Sequence, residues 1–169
     1  CIVREKETGT MEILLVSPIS PFLVIISKAI PYFFLSLINL SVILILSVTL
    51  LEMPINGSLW LLIAESTLLI ICALSLGLLI SNNTQSQQSA MLISMMGMLV
   101  PTMLFTGFMF PIENMPVPLQ VITNIVPSKW YYIIVKSIMI KGLGFSAIWK
   151  ETLILFGTTC FLLFVSLKT

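Results

Sequence analysis

Four long apolar segments dominate the pattern of hydrophobic and polar positions along the chain. Residues 31–51 form an uncharged run of 21. As a helix with a rise of about 1.5 Å per residue, this run would cross the roughly 30 Å hydrocarbon core of a bilayer. The sequence predicts four transmembrane helices, which lie at residues 21–51 (an interfacial helix followed by the first span), 59–80, 90–110 and 149–168.

Residues 111–148 show a different pattern. Their two apolar stretches, 117–126 and 130–140, are too short to cross a bilayer, and Pro127 separates them. Short helices of this kind are tolerated at membrane depth where they pack against protein. We expect a re-entrant or interfacial helical hairpin here. Pro31, in turn, predicts a kink where the interfacial helix joins the first span.

Composition favours an all-α integral membrane protein and excludes several functions. Of the 169 residues, 58% are hydrophobic and 9% are charged, which leaves too little polar surface to cover a globule in water. A net charge of +1 without a basic run gives no footprint for nucleic acid. The lack of histidine and aspartate removes the usual general bases and most zinc sites. Cys1, Cys72 and Cys160 have neither disulfide nor metal-knuckle spacing. We expect no catalytic and no metal site.

The N-terminal segment, residues 1–20, concentrates charge. Residues 4–12 hold 5 of the chain's 15 formal charges. Thr10 is a candidate N-cap of a short helix that carries Glu12 in its first turn and an apolar face of Met11, Leu14 and Leu15. Such a helix suits docking into a groove on a soluble partner. A solvated turn beside the membrane is the alternative.

Polar residues inside the spans have two interpretations each. Glu65, inside the second span, either marks a functional site or lies at the interface beside Trp60 and reaches water. Asn39 favours a hydrogen bond between helices over a ligand site. Ala73, Gly77 and Ser81 form a stripe of small residues that allows close helix packing. The many methionines after residue 90 follow no ligand spacing, which favours packing over copper binding.

The positive-inside rule does not orient the chain. Four spans place both ends on one side, where the cationic residues are Arg4, Lys6, Lys28 and Lys168. The other side has equally many, namely Lys129, Lys136, Lys141 and Lys150. Charge alone therefore leaves the orientation open.

Two motifs in order resemble a known family. The first consists of Arg4, Glu7, Gly9, Thr10, Glu12, Leu14, Leu15 and Pro18. The second consists of Gly107, Phe108, Phe110, Pro111, Ile112, Glu113, Asn114, Met115 and Pro116. Gln120, Pro127, Lys141, Gly142 and Trp149 extend the likeness. With four spans, this pattern resembles the C-terminal part of the membrane permease subunits of type 2 ATP-binding-cassette (ABC) exporters.

The resemblance implies a function and a topology. Residues 9–17 would form a cytoplasmic coupling helix that binds a separate ATP-binding subunit, so both ends would be cytoplasmic and residues 111–148 would form an external re-entrant hairpin. The spans would be the family's third to sixth. The chain lacks GxxxxGK[ST], so ATP and Mg²⁺ would bind to the partner and no cofactor to this chain. The resemblance implies outward transport by alternating access between two permease halves. A largely apolar path would favour an amphipathic substrate, drug-like or lipid-linked.

Residue roles follow from the same resemblance. The residues expected to bind the partner are Glu7, Gly9, Thr10, Met11, Glu12, Leu14 and Leu15. Those of the external hairpin or gate are Phe108, Phe110, Pro111, Glu113, Met115 and Pro116. Those of the substrate path between halves are Asn39, Met95, Leu99 and Phe105.

Three other classes of function stay open on the residues alone. A secondary transporter or channel would use Glu65, Asn39 and the proline-broken third span. An intramembrane enzyme would need a nucleophile and base from serine, lysine or glutamate, and no span core holds a lysine. A structural membrane anchor would need no partner at the N-terminal segment.

Overall fold

The computed structural model describes residues 2–169, so Cys1 lies outside the described residues. The helices are α1 (Ile2–Glu7), α2 (Met11–Val16), α3 (Pro21–Thr49), α4 (Leu59–Asn83), α5 (Gln87–Ser94), α6 (Val100–Phe105), α7 (Val117–Thr123), α8 (Pro127–Met139) and α9 (Phe145–Lys168). A π-helical turn, Met95–Leu99, joins α5 to α6, and a 3₁₀ turn, Ile112–Asn114, precedes α7. No strand occurs among the described residues, which confirms the all-α prediction.

Four helical units are long and apolar enough to cross a membrane: α3, α4, α5 to α6, and α9. Their ends differ from the predicted ends. α4 continues to Asn83, so only residues 84–86 separate it from α5, and the Ser86 hydroxyl caps α5 by accepting from the Ser89 amide at 3.3 Å. α9 begins at Phe145, before the predicted residue 149. The added turn, residues 145–148, is uncharged, so nothing in it opposes an earlier start of the helix.

Of two local predictions at the N-terminal side, the kink at Pro31 stays a prediction and the cap at Thr10 fails. α3 continues through Pro31 as one helix, so the interfacial helix and the first span are a single element. The prediction that the Thr10 side chain caps α2 is wrong. Thr10 has helical backbone angles (φ −75°, ψ −10°), and its hydroxyl lies 3.1 Å from that of Thr8. A capping side chain needs an extended backbone to turn back toward the helix.

The core lies where α4 packs against α8 and α9. Its members are Leu62, Ile134, Ile138, Met139, Ile148 and Leu155. Small and hydroxyl-bearing side chains continue the buried face of α4 at Ser66, Cys72 and Ser75, which lets the helix axes approach. Glu65 lies on this face and is 3% exposed, whereas Trp60 is 81% exposed. The interpretation that Glu65 reaches water is therefore wrong.

Hydrogen bonds between elements define two ends of the bundle. At one end, the Asn82 side chain donates to the carbonyl of Ser166 at 3.2 Å, which joins the C-termini of α4 and α9. At the other end, the Asn56 amide nitrogens donate to the carbonyls of Met139 and Ile140 at 3.2 Å. We call the first the N-terminal end, because α1 contacts it, and the second the hairpin end, because α8 ends there.

The π turn marks the middle of the third span. The Val100 amide donates to the carbonyl of Met95, five residues earlier instead of four. Pro101 follows and has no amide hydrogen, so a regular α-helix could not be completed across this point. A π turn at a proline is a common place for a helix to bend. The third span therefore consists of two helical pieces.

Replacement of Gly57 by alanine should destabilise the fold. The added Cβ would lie 2.6 Å from the carbonyl oxygen of Ile138, and a backbone atom cannot move aside as a flexible side chain can. We expect G57A to lower the free energy of unfolding by about 1–3 kcal/mol, measured by thermal unfolding of the full-length protein in lipid nanodiscs. Gly157→Ala is the matched control, because its added Cβ meets no atom within 4 Å. Equal destabilisation by both changes would contradict the proposed clash.

Candidate functional site

The N-terminal segment is bound to the membrane helices by charged side chains. The Lys6 ammonium donates to the carbonyl of Asn82 at 2.6 Å and lies 3.4 Å from that of Ser81. These carbonyls belong to the last turn of α4, where free backbone oxygens and the helix dipole attract a cation. α1 is thereby fixed to the C-terminal end of α4.

Two further contacts tie α1 to its surroundings. The Gln87 side chain donates to the Glu7 carboxylate at 2.8 Å, so the first turn of α5 also contacts α1. Glu5 forms an ion pair with Lys28 of α3. One short helix thus contacts α3, α4 and α5 at the N-terminal end.

α2 has one face on the membrane helices and one face in solvent. Met11 and Leu14 are half-buried and line an apolar cleft with Val24 and Ile25 of α3. Ile13 and Val16 are 74% and 87% exposed. Glu12 and Leu15 are also exposed. The free face of α2 therefore combines one acid with three apolar side chains.

The predicted partner-binding residues divide between these faces. Glu12, Thr10 and Leu15 are exposed, whereas Met11 and Leu14 lie against α3. Gly9 has a φ of +72°, a conformation that glycine adopts without strain, and it forms the turn between α1 and α2. Sequence reasoning missed Ile13 and Val16. The signal was present, because both are apolar residues in a segment that also carries charges.

The predicted hairpin residues lie at the opposite end. Phe108 and Phe110 are exposed and follow Gly107, whose φ of +83° allows the chain to turn after α6. Pro111, Glu113 and Pro116 are exposed, and Met115 is half-buried. The Gln120 side chain donates to the Met115 carbonyl at 2.9 Å, which joins this loop to α7. The membrane depth of α7 and α8 stays a prediction.

The start of α8 is stabilised by contacts with α7 and α6. The Trp130 indole donates to the Asn124 carbonyl at 2.9 Å, and the Lys129 ammonium lies 5.1 Å from the Trp130 ring centroid. Partial burial lowers the pKa of Lys129. The hydroxyls of Thr102 and Ser128 are 3.3 Å apart. These contacts connect the third span to the helix pair.

The predicted path residues lie on two separate elements. Met95 and Leu99, both exposed, line an open groove of about 360 Å³ with Ser94, Met98, Thr102 and Met103. Phe105 is half-buried at the end of α6. Asn39 is exposed on α3 and is not among the residues of this groove. Within residues 2–169 the structure thus joins Met95 and Leu99 but not Asn39.

Across residues 2–169, no group of histidine, cysteine, aspartate or glutamate could hold a metal ion. The small-residue stripe of Ala73, Gly77 and Ser81 borders an open cavity between α1, α3 and α4. A Cβ added to Gly77 would meet no atom within 4 Å. In the described part of the chain, the space beside this stripe is therefore open.

These observations define a class of protein. The chain is a multi-pass helical membrane protein that carries a charged helical segment at one end and a pair of short helices at the other. The chain belongs to the ABC-2 family of transporter proteins, whose model matches residues 1–168.

Individual relatives agree with this assignment. The chain is 33% identical over 141 residues to the probable multidrug ABC transporter permease YbhS of Escherichia coli (strain K12), a match that covers 83% of this chain and 37% of that protein. For YbhR of the same strain, also named a probable multidrug ABC transporter permease, the identity is 32% over 150 residues, with 89% and 40% covered. ABC transporter G family member 20 of Dictyostelium discoideum is 25% identical over 166 residues, with 97% and 23% covered.

The chain spans about two fifths or less of the length of these curated relatives. No solved structure matches it.

Replacement of Lys6 by methionine should loosen the N-terminal end. Methionine keeps much of the side-chain length but cannot donate to the carbonyls at the end of α4, so we expect a loss of about 0.5–1.5 kcal/mol in the free energy of unfolding. Thermal unfolding of the full-length protein in nanodiscs measures this loss. Arg4→Met is the control, because Arg4 is exposed on the same helix. An unchanged melting temperature in K6M would contradict the capping role of Lys6.

Proposed function

We propose that the chain is part of the membrane half of an ATP-driven ABC exporter, and that α2 is its coupling helix. The observation that carries this proposal is the orientation of α2. Met11 and Leu14 are half-buried beside a cleft shared with α3, while Glu12, Ile13 and Val16 are exposed. Leu15 is also exposed, at the edge of the same cleft. Such an exposed face suits a cleft on a folded partner. The family assignment supports an ATP-binding subunit as that partner.

The contacts of α1 give the proposed coupling a mechanical route. A push on α2 would pass through the Gly9 turn to α1, which is bonded to α4 by Lys6 and to α5 by Glu7. The ion pair between Glu5 and Lys28 adds α3. Closure of two ATP-binding subunits, which would hold ATP and Mg²⁺, would thereby move three spanning helices together.

The orientation follows from this proposal. The N-terminal end, with α1, α2 and Lys168, would face the cytoplasm across the cell membrane. The hairpin end would face outward, with Phe108, Phe110, Pro111, Glu113, Met115 and Pro116 at the external gate.

A second permease half, identical or related, would cover apolar surface that the described residues leave free. No residue of α3, α5 or α6 is buried, although all three are rich in apolar side chains. The groove of Met95 and Leu99 would then lie toward the other half, with Asn39 and Phe105 nearby. Its apolar lining favours an amphipathic substrate, drug-like or lipid-linked. YbhS and YbhR are both named probable multidrug ABC transporter permeases, which agrees with this substrate class.

Site-specific crosslinking tests the coupling assignment directly. Thr10→Cys would be introduced into the full-length protein in a background without native cysteines and co-expressed with its ATP-binding subunit. We expect a crosslink to that subunit whose yield changes on addition of ATP. Glu113→Cys at the hairpin end is the matched control and should give none. Labelling of the residue 10 thiol by an impermeant reagent from outside intact cells would overturn the proposed orientation.

Charge reversal at Glu12 should weaken binding of the ATP-binding subunit. Glu12 is exposed on the free face of α2 and has no bond that holds the fold, so E12K should insert and fold normally. We expect roughly fivefold or greater loss of affinity, with a parallel loss of transport-coupled ATPase activity. The measurement is co-purification and ATPase rate in nanodiscs, with Glu52→Lys at the hairpin end as control. Normal coupling in E12K would count against α2 as the docking element.

A further inference from the structure

Glu65 is a buried acid at the hairpin end of the bundle. It is the seventh residue of α4, which places it roughly 9 Å along the helix axis from Leu59. Its side chain lies between α4, α8 and α9 and is 3% exposed. One carboxyl oxygen, Oε2, is buried without a hydrogen-bond partner among the described residues. The fold therefore removes this acid from water almost completely.

The other oxygen takes part in a contact that limits where hydrogens can lie. The Thr152 hydroxyl oxygen lies 2.7 Å from Glu65 Oε1 and 3.0 Å from the carbonyl oxygen of Ile148, four residues back in α9. A threonine hydroxyl has one hydrogen, so it can donate fully to only one of these two oxygens. If it donates to Ile148, the hydrogen between Thr152 and Glu65 must come from Glu65.

A neighbouring pair of residues has the same arrangement. The Ser66 hydroxyl lies 2.7 Å from the carbonyl of Leu62, four residues back, and 2.7 Å from the Tyr131 hydroxyl. Tyr131 can supply the second hydrogen, and burial raises the pKa of its phenol, which keeps that hydrogen in place. Each pair joins α4 to another element, Ser66 to α8 and Glu65 to α9. All the hydrogen bonds of the two pairs form when Tyr131 donates to Ser66 and Glu65 donates to Thr152.

Among residues 2–169, no cation forms an ion pair with Glu65. The ion pair that the described residues form joins Lys28 to Glu5 at the opposite end. Lysines on the elements packed against α4 are not within ion-pairing distance of Glu65. Titratable groups on these elements are Lys129, Tyr131, Tyr132 and Lys136 of α8, Lys150, Glu151, Cys160 and Lys168 of α9, Lys28 and Tyr32 of α3, and Arg4, Glu5, Lys6 and Glu7 of α1 at the opposite end. A buried carboxylate without a partner cation is far more costly than the neutral acid.

We propose that Glu65 is a proton-binding site that fastens α4 to α9 at the hairpin end. In the closed arrangement, with α4 and α9 packed together, Glu65 is protonated on Oε1. This O–H donates a hydrogen bond to the Thr152 hydroxyl, which in turn donates one to the carbonyl of Ile148. When α4 and α9 separate and water enters, the proton passes to water and Glu65 becomes a carboxylate. Closure takes a proton back. This inference stands on the geometry of the site and does not require the proposed transport function.

The sign of the pH dependence follows. Above the ordinary titration range of glutamate, about 4.3, the hydrated site has lost its proton while the closed site still holds one, and this difference lasts until the closed site ionises. The state that binds more protons loses stability as pH rises. Closure is therefore favoured at acid pH and weakens toward alkaline pH, until Glu65 in the closed site also ionises.

Infrared difference spectroscopy of the full-length protein in lipid nanodiscs tests the proton directly. We expect a carboxylic acid C=O band at neutral pH that shifts in D₂O and is absent from Glu65→Gln. Glu113→Gln is the matched control, because Glu113 is an exposed acid at the same end, and it should leave the band unchanged. A missing band in the wild-type protein, or a band that persists in E65Q, would overturn the proposal.

A second variant keeps the test decisive if E65Q does not fold. Thr152→Val conserves shape and removes the acceptor of the Glu65 proton, so the C=O band should move to higher frequency without disappearing. A band that T152V leaves in place belongs to another acid and overturns the assignment.

Thermal unfolding supplies an independent measurement. The melting temperature of E65Q minus that of the wild type should rise with pH and then level off, since glutamine mimics the neutral acid at every pH. A difference that is constant with pH, or that falls, would show that Glu65 is ionised in the fold and would overturn the proposal.

Discussion

Polar side chains on the buried face of α4 have no water to bond to, and the arrangement of the bundle follows from how they are satisfied. Ser66 bonds to Tyr131 of α8, Glu65 contacts Thr152 of α9, and Asn82 bonds to the carbonyl of Ser166. These contacts lie near both ends of α4, with Glu65 and Ser66 at the hairpin end and Asn82 at the N-terminal end. In a bilayer they fix rotation and register more sharply than apolar packing, because lipid competes for apolar contacts but not for hydrogen bonds.

The helices outside this core differ from the core helices in how much of their surface is buried. α4 and α9 have buried faces, whereas α3 and the third span have no buried residue. The third span is also divided by a π turn before Pro101. The packed group of α4, α8 and α9 therefore adjoins two spanning units whose packing is incomplete within the described chain.

Predictions from residue patterns succeeded where one local property decides the structure. An uncharged run of sufficient length gives a helix long enough to span a membrane, and Pro127 begins α8. Thr10 failed as a cap because the turn after α1 gives it helical backbone angles. The exposed face of α2 could not be chosen correctly, because α3 decides which apolar residues it covers, and Ile13 and Val16 stay free.

The sequence by itself determined the solvent of this protein, the number of its spanning helices and its family, because hydropathy, helix length and motif order are properties of neighbouring residues. Only the tertiary structure decided the role of Glu65. Its position near Trp60 is compatible with water access, and the packing of α8 and α9 removes that access. Burial depends on residues distant in sequence, such as Tyr131 and Thr152, and a linear pattern does not contain those contacts.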